Sequence, residues 1–324
     1  MSAHCEQVRK GYKVEKVHFN LSNLSPPKAE MGVKMIKEIY QLYRDTLPDL
    51  IRNEEMVKDI LNNKNNHIIS YKDANRLIGV SVIHDNVIYL LCVDNSFQGR
   101  GIGLKLLNQS EDYIRSNGFD KVVVGAGKEF IMPGIPMNNN AHVFFEKNGY
   151  VHSWGESGCF DMSQLLVDFA YNEHSIGDAI NGITYRWATL NDLDCIEKCV
   201  SDAQESFLVY YQDKKLYEKD TKTPVLIAVK DDEVLGALMV CIETEGKHIG
   251  SVGCTTTVHK HRGKGIATNM VKLSTKYLKE IGLTKAFLGY TYTDIVKMYG
   301  RAGYTVCMEY YMGAKTLDKV RIIE

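Results

Sequence analysis

The sequence lacks a long apolar segment. Its longest uninterrupted apolar run covers residues 87–93, whereas a membrane-spanning helix needs about 20 such residues. Residues 1–10 also lack the apolar core of a secretory signal peptide. We therefore expect a cytoplasmic protein that makes no contact with a membrane.

The chain also lacks an excess of charge of either sign. Its 324 residues include 39 lysines and arginines and 40 aspartates and glutamates, for a formal net charge of -1. Proteins that bind nucleic acid present clustered basic residues, so the composition gives no reason to expect nucleic acid as a partner. The length is sufficient for two domains.

No pair of cysteines has the C-x-x-C spacing that is typical of zinc sites and redox pairs. The eight cysteines are scattered along the chain, and we expect reduced thiols without a bound metal. Cys195 and Cys199 would share one face of a helix. Packing explains that spacing better than ligation does.

An internal repeat is present instead. Residues 91–103 align without gaps on residues 255–267, so that Gln98 matches Arg262 and Gly101 matches Gly265. Apolar positions also match in the helices predicted after both segments, and a glycine, Gly118 or Gly282, follows each helix. The repeat predicts two copies of one domain.

A second matched motif completes the repeat. Residues 144–150 align on 298–304, and the first copy carries ten extra residues around 125–138, with Pro-Gly-Ile-Pro at 133–136. Predicted strands and helices alternate in both copies, which indicates an α/β (α+β) fold. We predict an N-terminal domain over residues 1–170, a linker over 171–182 and a C-terminal domain over 183–324.

Each glycine loop is a candidate phosphate site, because a strand leads into it and a helix follows. Backbone N–H groups at a helix N-terminus bind phosphate, and glycines let the backbone approach the anion. A nicotinamide dinucleotide site is disfavoured, because Leu106 and Thr268 stand at the third glycine position and the loops lie deep in each domain. The candidate residues are Gln98, Gly99, Arg100, Gly101, Ile102 and Gly103, then Arg262, Gly263, Lys264, Gly265, Ile266 and Ala267.

The two motifs resemble those of the GCN5-related N-acetyltransferase (GNAT) family. Its main motif reads roughly Q/R-x-x-G-x-G/A, and both loops fit it. Its later motif, an aromatic residue and a tyrosine before Gly-aromatic, is matched at residues 298–304. Residues 144–150 also fit, except that Phe145 stands at the tyrosine position.

The resemblance implies two tandem domains, each a mixed, mostly antiparallel sheet flanked by helices, with acetyl-CoA in a split of the sheet. The pyrophosphate would lie on the glycine loop, and the pantetheine arm would run along the strand that ends at Val93 or Thr257. The acceptor would be a primary amine of a small molecule. Tandem domains, the Pro-Gly-Ile-Pro insertion and residues 290–294 are also similar to clostridial glucosamine/glucosaminide N-acetyltransferases, which implies an amino sugar as acceptor.

The resemblance also implies catalytic roles in the second copy. Tyr299 would donate the proton that the departing thiolate needs, whereas Phe145 in the first copy has no proton to give. Asp294 would hold the ammonium and accept its proton, although an N-cap role for this residue is nearly as plausible. Glu243 and Glu245 are further candidates for the base.

Other functions remain open from the sequence. In one alternative, the first copy or both copies bind acetyl-CoA without catalysing a reaction, and Phe145 favours this alternative for the first copy. The acceptor would alternatively be a protein or peptide amine. Tandem copies also occur in amide-forming enzymes of low-molecular-weight thiol synthesis.

Overall fold

The computed structural model describes residues 33–50, 54–125, 131–138, 140–153, 157–171, 182–242 and 248–318. Glu243, Glu245 and nearly all of the predicted linker lie outside these residues. No helix in the described ranges is long and apolar enough to cross a membrane.

The first half of the chain contains four helices and seven strands in its described part. They are α1 (Val33–Thr46), α2 (Glu54–Asn62), β1 (His67–Asp73), β2 (Arg76–His84), β3 (Val87–Val93), α3 (Ile102–Ser116), β4 (Lys121–Val124), β5 (Ile135–Pro136), α4 (Ala141–Lys147), β6 (Val151–His152) and β7 (Cys159–Leu165).

The second half repeats much of this order. Its elements are β8 (Thr184–Trp187), α5 (Leu193–Gln204), α6 (Leu208–Tyr211), β9 (Val225–Lys230), β10 (Glu233–Ile242), β11 (Ile249–Thr257), α7 (Ile266–Glu280), β12 (Lys285–Tyr292), α8 (Thr293–Arg301), β13 (Thr305–Tyr311) and β14 (Gly313–Thr316).

The repeated helices α3 and α7 pack in the same way. Each presents an apolar face at helical spacing, and the matched residues of that face are completely buried: Leu106, Leu107 and Ile114 in α3, and Met270, Val271 and Leu278 in α7. The structure confirms a mixed α/β fold with two sheets flanked by helices.

The two halves exchange strands. One sheet has the order β1-β2-β3-β4-β14-β6, and the other has the order β5-β13-β7-β12-β11-β10-β9-β8. Strand β14, near the end of the chain, therefore lies beside β4 in the first sheet, and β7 from the first half lies between β12 and β13 in the second. The first sheet thus includes β14 from the second half, and the second sheet includes both β5 and β7 from the first half.

An ion pair holds β14 in the first sheet. The Lys315 ammonium contacts both carboxylate oxygens of Glu111 on α3, at 3.0 and 2.9 Å. Tyr150 donates a further hydrogen bond from its hydroxyl to Glu111. The Glu111 side chain is only 8% exposed. Strand β14, which comes from the second half, therefore supplies the cation that pairs with a buried carboxylate of the first half.

Candidate active site

The two glycine loops have the same backbone geometry. Gly99 and Gly101 have φ values of 73° and 78°, and Gly263 and Gly265 have 79° and 81°. These left-handed conformations favour glycine, and a Cβ at any of the four would meet open space. Gly101 and Gly265 cap α3 and α7, so the first N–H groups of both helices point out of the loop without intrahelical partners.

Gln98 and Arg262 support the loops from behind. The Gln98 side-chain amide donates to the Val93 carbonyl at 3.0 Å, and the Arg262 Nε donates to the Thr257 carbonyl at 3.2 Å. The same position therefore ties each loop to the last residue of its preceding strand. Because these donors are occupied, the backbone N–H groups are the main candidates for an anion.

The other loop cations lie at the exposed side. Arg100 stacks over the Phe97 ring at 4.9 Å and donates to the Ser96 carbonyl. Lys264 lies 3.1 Å from the Nδ1 of His261. Desolvation, and after it the positive charges of Lys264 and Lys260, lower the pKa of His261. Both long side chains are exposed and can reach an anion bound at the loop.

Both sheets open next to the loop. Strand β3 pairs with β4 only through Val87 and Ile88, although β3 continues to Val93. Strand β11 pairs with β12 only through residues 249–251 and continues to Thr257. Each domain therefore contains a split between two parallel strands, and one edge of β3 or β11 has no strand partner there among the described residues.

The backbone beside the split of the first domain is buried. Tyr89 and Leu90 on β3 are 4% and 0% exposed. Ile131, Met132 and Ile135, which belong to the extra residues of the first copy, are buried in the same large core as Leu90. In the second domain the matching residues, Gly253 and Cys254, are half-buried. The second split is therefore the more open one.

The second split also has strained backbone on both sides. Cys254 on β11 has φ 48°, and Tyr290 on β12 has φ 57°. Left-handed backbone costs a residue with a side chain about 1–2 kcal/mol, and such outliers cluster at functional sites. The distortion at Cys254 coincides with a register shift against β10, which takes backbone N–H groups out of the ladder.

Tyr299 lies in the second split. This α8 residue is 3% exposed, and its hydroxyl donates to the Thr255 Oγ1 of β11 at 3.0 Å. Burial raises the pKa of Tyr299 to about 12, so the phenol keeps its proton at neutral pH. Phe145 occupies the matching place in the first domain and packs edge-on against Tyr150, as Tyr299 packs against Tyr304.

Two threonines of this region carry buried hydroxyls without a partner among the described residues, Thr257 on β11 and Thr291 on β12. Unpaired buried polar groups are rare and indicate a missing ligand or water. The sequence analysis did not identify Thr291, because nothing in its neighbours distinguishes it from an ordinary strand residue.

Asp294 and Tyr299 are not brought together. Asp294 lies in the first turn of α8 and is exposed, whereas Tyr299 is buried on another face of the helix. The N-cap position of α8 is held by Tyr292, so Asp294 is not its N-cap. A carboxylate in the first turn still interacts favourably with the helix dipole.

Asp161 is a carboxylate that the sequence analysis missed. It lies on β7, is 4% exposed, and accepts hydrogen bonds from the Tyr290 backbone N–H and the Tyr310 hydroxyl. Its position beside β12 follows from the strand exchange, which no local sequence pattern indicates. Within the described ranges no three His, Cys, Asp or Glu residues are grouped as a metal site.

Comparison with known proteins identifies the family. Residues 26–166 match the acetyltransferase (GNAT) domain, and residues 187–304 match the acetyltransferase (GNAT) family. No curated protein matches the sequence.

Several solved structures share the fold. The chain is similar to the GCN5-related glucosamine N-acetyltransferase region of a fungal multi-domain GH3 β-N-acetylglucosaminidase, with a TM-score of 0.70, 20% identity and coverage of 86% of this chain but only 36% of that one. It is also similar to a tandem GNAT protein from the clavulanic acid biosynthesis pathway, with a TM-score of 0.66 and 12% identity. That match covers 90% of this chain and 97% of the other protein. A GCN5-related N-acetyltransferase from Sphaerobacter thermophilus has a TM-score of 0.63 and 18% identity, and the match covers 86% of this chain and 91% of that protein.

The fungal protein is much longer than this chain, so the similarity concerns its acetyltransferase region alone. At these identities the structural matches establish the fold, and the two family matches together span most of the chain. The chain therefore belongs to the GNAT family and is an N-acetyltransferase with two GNAT domains in tandem, a fold that uses acetyl-CoA for acetyl transfer to an amine.

Proposed function

We propose that the second domain transfers the acetyl group of acetyl-CoA to the primary amine of a small amino sugar, glucosamine or a glucosaminide. The carrying observation is the contrast between the two splits. The second holds a tyrosine hydroxyl beside half-buried backbone, whereas the first holds Phe145 and apolar packing.

The second loop fits a pyrophosphate. Residues 262–267 would hold it through the backbone N–H groups at the start of α7, with Lys264 at the rim. The unpaired edge of β11 up to Thr257 would lie along the pantetheine arm, as an added strand does. Acetyl-CoA supplies an acetyl group on a thioester whose thiol is a good leaving group. The orphaned Thr257 hydroxyl is consistent with a ligand at this edge.

Tyr299 is the proposed proton donor. Its hydroxyl would give a proton to the sulfur as the C–S bond breaks and would regain one from the nitrogen as the C–N bond forms. A pKa of about 12 keeps the phenol protonated. Proton transfer to a thiolate whose conjugate acid has a pKa of about 8.5 is uphill on its own, so the phenol would have to regain the proton of the attacking nitrogen in the same step. Backbone N–H groups that the register shift at Cys254 takes out of the ladder would stabilise charge on the carbonyl oxygen.

The amino-sugar part of the proposal has narrower support. It draws on the similarity to the fungal glucosamine N-acetyltransferase region and on Tyr290 and Tyr292, whose rings meet edge-on at 5.8 Å. Tyr292 is 43% exposed and offers a flat surface with a polar tip. Asp294, exposed two residues later, is the proposed carboxylate that accepts the proton released by the substrate ammonium and passes it to water.

A second function concerns the first domain. Its glycine loop has the same geometry as the catalytic one, with Val93 and Gln98 in the matching contact, but the backbone beside its split is buried. We assign it an acetyl-CoA-binding role at most, through residues 99–103, without chemistry. A protein or peptide acceptor is the alternative for the second domain.

The test compares the wild type, Tyr299→Phe and Tyr304→Phe in thiol release from acetyl-CoA with glucosamine, polyamines and lysine peptides. We expect turnover of glucosamine, a fall in kcat of about 10²- to 10⁴-fold in Tyr299→Phe, and near wild-type kcat in Tyr304→Phe, which loses a similarly buried hydroxyl bonded to Thr275.

Each result bears on a different part of the proposal. Unchanged turnover in Tyr299→Phe would show that Tyr299 is not the proton donor, and catalysis would then have to be sought in the first domain. Glucosamine that stays inert while a peptide reacts would replace the amino sugar by a protein acceptor.

A further inference from the structure

Asp161 is a buried carboxylate that has no cation as a partner among the described residues. Its Oδ1 accepts the Tyr290 backbone N–H at 2.9 Å, and its Oδ2 accepts the Tyr310 hydroxyl at 2.6 Å. Both donors are neutral. Of the ion pairs between described residues, none includes Asp161. A buried carboxylate at 4% exposure is costly to ionise unless a cation pairs with it, and the described part of the chain supplies only the two neutral donors.

The register of the second sheet places this carboxylate at the split. Ser251 pairs with Phe287 at the last paired level of β11 and β12. Extending that register puts Gly253 level with Gly289 and Cys254 level with Tyr290, across the point where the strands part. Asp161 is bonded to Tyr290 and therefore lies at the level where the split opens.

Two glycines stand at the level of the carboxylate. A Cβ on Gly289 would stand 3.5 Å from the Asp161 Oδ1 and 3.2 Å from the Phe287 ring, so the β12 side is closely packed, whereas a Cβ on Gly253 would meet nothing within 4 Å. Both glycines are half-buried. The open space at this level of the split therefore lies on the β11 side, at Gly253.

Asp161 and Tyr299 lie on opposite faces of the sheet. Met162, the next residue on β7, packs in one core with Leu288 and Tyr299, and successive side chains of a strand point to opposite faces. Asp161 points instead toward Tyr310, which belongs to the core of the first half. A molecule in the split would meet the phenol from one face and the carboxylate from the other.

We propose that Asp161 is the acceptor-binding carboxylate of the second domain and that it receives the ammonium group of the substrate amine. An amino group is protonated at neutral pH, so it arrives as the cation that the described residues do not offer this carboxylate. The active site is then composite, because the first half of the chain contributes its acceptor site through β7. This proposal rests on second-domain catalysis, and it holds for any amine acceptor.

The test uses three variants of the full chain. Asp161→Asn removes the charge and retains an oxygen for the Tyr290 N–H. Tyr310→Phe removes one hydrogen bond to Asp161 but keeps its charge. Glu309→Gln removes an exposed carboxylate from the adjacent strand β13 and controls for the change in net charge. Each is assayed with glucosamine and with the amine that the wild type acetylates fastest.

In Asp161→Asn we expect the KM for the amine to rise about 10- to 100-fold, the range for a lost hydrogen bond to a charged group, while the KM for acetyl-CoA changes less than about twofold. Glu309→Gln and Tyr310→Phe should keep both values within about twofold, whatever Tyr310→Phe does to stability. Glucose, with a hydroxyl at the amine position, should compete equally well in wild type and Asp161→Asn.

The opposing results are distinct. If Tyr310→Phe and Asp161→Asn raise the KM for the amine together, Asp161 only supports the backbone of Tyr290 and the proposal is overturned. An unchanged KM in Asp161→Asn overturns it as well. A wrong amino-sugar assignment gives a different result: glucosamine is then inert in the wild type. The role of Asp161 is in that case tested by the KM for the other amine that the wild type acetylates. Should Asp161→Asn not fold, a KM raised in Tyr310→Phe overturns the proposal and an unchanged KM supports it.

Discussion

At the scale of single residues, Tyr299 and Phe145 differ by one hydroxyl in matching positions of the repeat. Both rings are buried and meet a tyrosine edge-on, so packing alone explains why the position is aromatic. Packing does not explain the Tyr299 hydroxyl, which is directed at Thr255 in the open split. A buried hydroxyl that is bonded to one further hydroxyl is available to a substrate.

The raised pKa of Tyr299 predicts a pH effect on stability. Burial raises it to about 12, whereas an unfolded tyrosine has about 10. Below pH of about 10 both states are protonated and the contribution of Tyr299 is fully present. As the pH rises toward 12 the unfolded chain loses its proton first, and stability is lost. At pH 11 the expected loss is about 1.4 kcal/mol.

Phenylalanine at position 299 does not titrate, so the variant isolates this effect. Urea unfolding of wild type and Tyr299→Phe at pH 9 and pH 11 should show the wild type losing about 1.4 kcal/mol more than the variant between these conditions. Equal losses in the two proteins would mean that the Tyr299 phenol is not buried in solution.

At the scale of elements, the two glycine loops offer a matched pair of substitutions. In Gly265→Ala and Gly101→Ala the new Cβ meets open space, so the cost is the left-handed backbone, about 1–2 kcal/mol in each case. We expect similar losses of stability in denaturant unfolding. The KM for acetyl-CoA should rise in Gly265→Ala and stay unchanged in Gly101→Ala, because the second domain alone is proposed to catalyse the reaction. A raised KM in Gly101→Ala would give the first loop a part in turnover.

The sequence predicts local elements well and partner strands poorly. The loops, the faces of α3 and α7, and the Phe145 and Tyr299 positions follow from periodicity and from the repeat, since these signals lie within one contiguous segment. Nothing in the apolar pattern of β7 or β14 distinguishes pairing within a half from pairing across halves, because either sheet buries the same residues.

The residues of the candidate site likewise fall into two groups, those that sequence motifs identify and those that only the tertiary structure reveals. Gly263, Gly265 and Tyr299 belong to motifs and are found by spacing. Asp161 and Thr291 lie on two strands that only the tertiary structure brings side by side, and the left-handed backbone at Tyr290 lies in the irregular part of the same pairing. A carboxylate whose role depends on a strand from the other half has no sequence signal beside the residues it serves.

At the scale of the whole molecule, the exchanged strands couple the two halves. Sheet one lacks its fifth strand without residues 313–316, and sheet two lacks the strand between β12 and β13 without residues 159–165. An incomplete sheet exposes unpaired backbone along two strand edges. The halves are therefore expected to unfold together, although each has its own repeat.

Lys315→Met tests this coupling. It leaves the buried Glu111 carboxylate without its cation. Breaking a buried pair costs about 3–5 kcal/mol, and because the Lys315 side chain is 27% exposed we expect a smaller loss of about 1–3 kcal/mol. Lys34→Met, which removes an ammonium that is 89% exposed and 3.9 Å from Glu38, should cost under about 0.5 kcal/mol.

Hydrogen exchange then locates the effect. If the exchange of strands makes one cooperative unit, Lys315→Met should lower the protection of β7 and β12 in the second sheet as well as that of β4 and β14 in the first. Loss of protection confined to the first sheet would mean that the halves open independently. The exchanged strands would in that case complete the two sheets without linking their stabilities, and the acceptor site around Asp161 would survive the opening of the first domain.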